Sequence, residues 1–141
     1  MSELKKLSLY EKIQLVSDEI KNIEKDMTVG TGNYSYKAVS DLQVTLSVKA
    51  AEKKHRVVSI PFSQELVSSD VVKTIKKNGD EGITHVDNIK MTVRIFDLDS
   101  EAFIDIISFG KGIDTGDKGF GKASTYARKY ALLNAYKIAR S

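Results

Sequence analysis

The 141-residue chain has no cysteine, no tryptophan, one proline and two histidines. Without a thiol there is neither a disulfide nor a thiolate metal site. His55 and His85 lie far apart in sequence and lack the companion donors that zinc requires. The expectation is therefore no metal and no cofactor. No apolar run approaches the ~20 residues needed to cross a bilayer, so no membrane partner is expected. The apolar-periodic segment nearest Met1 is broken by Glu11, Lys12 and Asp18, unlike the unbroken core of a secretion signal. Acid is scarce at one end. Residues 111–141 hold seven basic side chains against Asp114 and Asp117 alone, whereas residues 1–110 hold 15 basic against 17 acidic. Charge segregated in this way argues for an anionic partner at the C-terminal end, or for a solvated helix face.

What is present reads as one domain over residues 1–141 with an ordinary apolar content. Ser8 and Glu11 form a capping box, and Leu9, Ile13, Val16, Ile20, Ile23 and Met27 follow as one helical stripe ending near Asp26. Thr28–Asn33 is a glycine-rich turn, and Tyr34–Lys37 reads as extended. Ser40 and Gln43 begin a second helix that runs to about Lys53, with Lys53, Lys54 and Arg56 crowding its end. Val57–Val67 is rich in β-formers, with Pro61 marking an edge or a bulge. Ser68–Gly82 reads as an exposed excursion turning at Asn78-Gly79-Asp80. Ile89, Met91, Val93 and Ile95 alternate with Lys90, Thr92 and Arg94, the pattern of a half-buried strand. Asp97–Ser100 supplies a turn, and Ala102–Phe109, apolar on both faces, reads as a central strand. The last helix spans about Lys118 to Ala139. Phe120, Ala123, Ala127, Tyr130, Ala131, Asn134 and Ile138 share one side, and Lys118, Lys122, Thr125 and Lys129 share nearly the opposite one. Leu132 and Leu133 flank the cationic row and would need a cover.

The segment Gly116-DKGF-Gly121-Lys122 fits a phosphate-binding loop up to its final letter. There Ala123 replaces the hydroxyl that would bind magnesium, and Ser124 comes one residue late. Too little chain follows for the further parallel strands of a nucleotide-hydrolysing fold. Glycines and lysines at a helix start still make a cradle for anions, suited to the diester phosphates of a nucleic-acid strand. On this reading Thr115 or Asp117 caps the helix.

The stretch Gly110–Ile138, GKGIDTGDKGFGKASTYARKYALLNAYKI, resembles the signature of the ERF (essential recombination function) family of phage single-strand annealing proteins. Gly32–Leu42, GNYSYKAVSDL, is similar as well, and the resemblance is weakest over Val57–Val86. Gly119 stands where family members often carry alanine. The resemblance implies an α+β fold: two N-terminal helices, a three-stranded antiparallel meander, and a C-terminal helix packed on the sheet. It implies ATP-independent coating and annealing of single-stranded DNA, through a ring or filament of identical copies, in the cytoplasm of an infected bacterium. A single-strand binding protein is a further candidate partner. It also assigns backbone contacts to Arg128 and Lys129 by motif position. The full set of candidate DNA contacts is Lys111, Lys118, Lys122, Arg128 and Lys129, joined by Lys90 and Arg94 on the sheet and by Lys54 and Arg56. Tyr126 with Tyr34 or Tyr36 are candidates for base stacking. No covalent chemistry is called for. Two other classes compete: a general nucleic-acid binding module without annealing activity, and a metal-dependent nuclease using Asp97, Asp99, Asp105, Asp114 and Asp117.

Overall fold

The structure is a computed structural model that describes residues 6–21, 27–29, 36–38 and 40–139. In chain order the elements are α1 (Leu9–Glu19), β1 (Met27–Val29), β2 (Tyr36–Ala38), α2 (Asp41–His55), β3 (Val57–Ile75), β4 (Glu81–Asp97), β5 (Phe103–Asp114) and α3 (Gly119–Ala135). The fold is α+β: two N-terminal helices, an antiparallel meander ordered β3-β4-β5, and a C-terminal helix on the sheet. β1 and β2 add a small antiparallel ladder with Met27 opposite Ala38; Tyr36 and Lys37 of β2 were expected to be extended, whereas β1 stands where a helix end was expected. Met27 thus belongs to a strand, and α1 stops at Glu19 rather than near Asp26. Ile23 and the turn residues Gly30–Asn33 lie outside the described residues.

The chain forms two compact units. The first comprises Met1–Ser59, Ile95–Ile104 and Leu132–Ser141. Here the Ser8 hydroxyl accepts from the Glu11 N–H while the Glu11 carboxylate accepts from the Ser8 N–H, so the capping box starts α1 as expected. Ser40 likewise accepts from the Gln43 N–H at the start of α2. That helix closes on Arg56, a left-handed residue with φ 60°. The strained backbone is held from two sides: the Arg56 carbonyl accepts from the Leu98 N–H, and its guanidinium grips Asp99. α1 and α2 pack together, and Val16, Val44, Val48, Val57, Ile95 and Tyr136 are almost fully buried. Leu132 and Leu133, expected to need a covering subunit, are buried by the chain itself.

This unit also buries charge. Lys12, which reads as an interruption of the apolar stripe, is only 4% exposed. Its ammonium donates to Asp97 at 2.5 Å and to Asp99 at 2.7 Å. That hydrogen bond holds the Asp97 carboxyl at about 2, against the cost of burial. In the same unit, Glu52 accepts from Tyr136 Oη at 2.5 Å and from Ser59 Oγ at 3.0 Å. Burial pushes the Glu52 carboxyl up despite both donors.

The second unit comprises Ile60–Arg94 and Asp105–Ala131. The expected alternation holds: Ile89, Met91 and Val93 are buried, and Lys90, Thr92 and Arg94 are half-buried on the other face. β3 runs on to Ile75, so Ser68–Ile75 is strand and only residues 76–80 turn. Gly79 supplies the positive φ of 89° that this turn requires. β5 is not central. It is the edge opposite β3, and β4 occupies the middle. Its apolar residues on both faces reflect one covered face and one open face.

The covered face of β5 carries Ser108, Gly110 and Gly112, all buried. A Cβ on Gly110 would strike the Ala123 carbonyl, and one on Gly112 the Gly119 carbonyl. The helix therefore rests on strand backbone, with Ala123, Ala127 and Ala131 as its contact stripe. Gly119 is likewise committed to packing, because a Cβ there would meet the Asp87 carboxylate.

Candidate nucleic-acid interface

The loop between β5 and α3 takes its shape from one carboxylate. Asp114 Oδ2 accepts from the N–H of Gly116 at 3.0 Å and of Lys118 at 3.1 Å. Its Oδ1 accepts from Lys122 Nζ at 2.7 Å, and Lys122 also donates to the Ile113 carbonyl at 3.1 Å. The Lys122 ammonium and the two loop N–H groups hold the Asp114 carboxyl at about 2. Asp114 thus closes the loop that leads into α3 by accepting from N–H groups that precede the helix. The anion cradle expected from the glycines and lysines already contains an anion of its own. The glycine roles change accordingly. Gly110, Gly112 and Gly119 serve packing, and a Cβ on Gly121 would meet nothing.

Ala123 decides against a nucleotide. It is fully buried and faces β5, so the position that would supply a magnesium-binding hydroxyl points into the core. Four of the five carboxylates weighed as a nuclease set are divided among cations: Asp97 with Lys12, Asp99 with Lys12 and Arg56, Asp105 with Arg94, and Asp114 with Lys122. Among the described residues no three His, Cys, Asp or Glu side chains gather as a metal site.

Within the second unit, Lys111, Lys118 and Lys122 are exposed at the end of β5 and the first turn of α3. Arg128 is half-buried one and a half turns further on. Lys129 departs from the expected outward row, being only 4% exposed. Its ammonium sits 5.0 Å from the centroids of both Tyr126 and Tyr130, whose rings stack 6.4 Å apart. The row fails there because Lys129, Ala131, Leu132 and Leu133 are all buried although they point to different sides of the helix. The outward side of the second half of α3 falls instead at Tyr130 and Asn134, which are exposed together with Phe120 although all three were expected on the packed side. Tyr126 is committed to this stack, Tyr34 lies outside the described residues, and Tyr36 falls in β2.

On the open face of the sheet, Arg94 donates to Asp105 at 2.8 and 3.1 Å and lies 3.7 Å over the Phe62 ring. Lys90 is half-buried on the same side of β4. In the first unit, Lys54 pairs with Glu19 at 3.0 Å and Arg56 with Asp99. The nine candidate cations are therefore not equivalent. Lys118 and Lys122 lie at the start of α3, Lys111 lies on the face of β5 turned away from that helix, Lys129 is buried, and Arg94, Lys54 and Arg56 are matched to carboxylates.

The family model for the ERF superfamily matches residues 9–141. The chain belongs to the ERF superfamily. No curated protein matches it. Membership of the ERF superfamily implies a role in phage recombination and single-strand DNA annealing, with single-stranded DNA as the substrate. Annealing proteins of this family are non-catalytic. No described helix is long and apolar enough to cross a membrane.

Proposed function

We propose that this protein binds single-stranded DNA by its sugar–phosphate backbone and anneals complementary strands without ATP, as one domain repeated in an assembly of identical copies. The ERF match over residues 9–141 carries this reading. The contact set we propose is Lys118 and Lys122, with Arg128 further along α3; Lys129 supports the helix from within. Cations along one side of a helix hold phosphates without reading bases, and released counterions drive the binding. The base edges stay free to meet a second strand. A few contacts per copy bind weakly at physiological salt, and repetition around an assembly multiplies them.

The test is duplex formation between two complementary oligonucleotides, followed by fluorescence with ATP absent. The protein accelerates pairing, and the acceleration falls with salt. Lys118→Ala/Lys122→Ala slows it and reduces the slope of log affinity against log salt by about 1.4, at ~0.7 per lost single-strand contact. Binding without acceleration would leave only a general nucleic-acid binding module. Magnesium-dependent release of nucleotides would instead revive the nuclease reading.

A further inference from the structure

The loop before α3 directs three donors at one carboxylate. The backbone N–H groups of Gly116 and Lys118 meet Asp114 Oδ2, and the Lys122 ammonium meets Oδ1. Backbone N–H groups beside a lysine are the donors that a strand's phosphate would take. The Asp114 side chain is 15% exposed and the Lys122 side chain 47%. The carboxylate is thus seated in the loop, while the ammonium stays within reach of the surface. With its carboxyl held at about 2, Asp114 keeps its charge throughout the neutral range. An ammonium has three N–H groups, and Asp114 and the Ile113 carbonyl take two from Lys122.

We propose that Asp114 is a built-in rival of the strand's phosphates, holding Lys122 until a phosphate displaces it and so limiting how tightly each copy grips. This deepens the reading above and rests on Lys122 as a backbone contact. The rival is tethered, so it competes at a high effective concentration. The strand takes Lys122 from it only because binding also releases the strand's own counterions. The exchange is one for one: a charge-assisted bond to a carboxylate is broken and one to a phosphate is made. Asp114 retains the two loop N–H groups throughout, so the loop keeps its shape and only the lysine changes partner.

Asp114→Asn separates the rival from the loop. An amide oxygen accepts from the N–H groups of Gly116 and Lys118 as the carboxylate does, but the amide nitrogen offers Lys122 no acceptor. Binding of fluorescein-labelled oligo(dT) to the full chain is read by anisotropy at low salt. Asp114→Asn binds about fivefold tighter, the upper range for releasing a partly exposed ion pair. Its slope of log affinity against log salt is that of the wild type, because the same phosphates are contacted. The decisive measurement repeats the change without the lysine: Asp114→Asn/Lys122→Ala binds no tighter than Lys122→Ala. Asp117→Asn, an exposed carboxylate outside these bonds, reports the lost negative charge alone, and its gain persists without Lys122. Equal affinity of Asp114→Asn and wild type, or a gain that survives Lys122→Ala, would overturn the proposal. Weaker binding at unchanged circular dichroism would overturn it too, by making Asp114 the residue that aims Lys122. Should Asp114→Asn fail to fold, the lysines decide with Asp114 in place. Lys122→Ala then weakens binding several-fold less than Lys118→Ala, and an equal or larger loss sinks the idea. Annealing is followed on the same samples. Tighter binding by Asp114→Asn without faster pairing keeps the rival and removes annealing. Faster pairing by the wild type with no gain in Asp114→Asn does the opposite, and oligo(dT) bound by no variant removes both.

Discussion

The two units solve the problem of an incomplete core in opposite ways. The first pairs its charges internally: Lys12 with Asp97 and Asp99, and Glu52 with Tyr136 and Ser59. In the second, Arg94 with Asp105 and Lys122 with Asp114 pair nearer the surface. That unit brings backbone against backbone at Gly110 and Gly112, and leaves distal β3 and the open face of β5 exposed. The first region is thus sensitive to losing a partner, and the second to gaining an atom. A buried charge deprived of its mate keeps its desolvation cost. A Cβ forced against a fixed carbonyl has nowhere to move.

The largest expected effect follows from breaking the first pattern. Asp97→Ala leaves the Lys12 ammonium buried beside Asp99 alone and removes the acceptor for the Asp99 N–H and the Ser100 hydroxyl. Urea unfolding should show a loss of about 3–5 kcal/mol. Next comes Gly112→Ala, where the new methyl meets backbone atoms of Gly119 and Ala123. About 3 kcal/mol is expected, with α3 displaced from β5. A loss below ~0.5 kcal/mol would mean the helix is not seated as described. Smaller again is Ser8→Ala, which removes the α1 cap and costs about 1 kcal/mol in the same assay.

Acid should act on both regions in the same direction. Asp97 and Asp114 titrate at about 2 in the folded chain, below the ordinary carboxyl value of 3.8. Their contribution is complete above that ordinary value and is lost as pH falls through about 2. Thermal melts between pH 5 and pH 2 should therefore decline, and Asp97→Asn should flatten the decline. Glu52 is shifted the other way, so its effect is confined to pH above its ordinary 4.5 and opposes the decline only at the top of this window. The smallest change is Lys54→Ala, which breaks an exposed pair with Glu19 and should leave the melting temperature unaltered.

The local signals in the sequence were strong where one chain satisfies them. The Ser8–Glu11 box, the alternation from Ile89 to Ile95 and the Asp97–Ser100 turn are set by neighbours within a few residues, and they stand as read. β5 was legible as a strand but not as an edge, because apolar residues on both faces look alike whether a second layer or water lies beyond. Lys12 had a signal that the apolar count hides: three residues after Leu9 and four before Val16 place it on the same stripe. Gly110 and Gly112 also had one, since two glycines at strand spacing before an Ala-xxx-Ala helix imply close approach. The cations of α3 were legible as a row by helical geometry. Periodicity cannot show which side of the helix's second half meets the rest of the chain, which is why Lys129 was placed outside and Tyr130 and Asn134 inside.

Seating a helix on glycine backbone has a consequence for how such a protein can diverge. The position of α3 is fixed by atoms that every residue type shares, so its outer turn is decoupled from what lies beneath. Cations there other than Lys122, which is tied to Asp114, can be exchanged, added or shifted by a turn while the scaffold stays put, which leaves the proposed grip on a polyanion open to drift under selection.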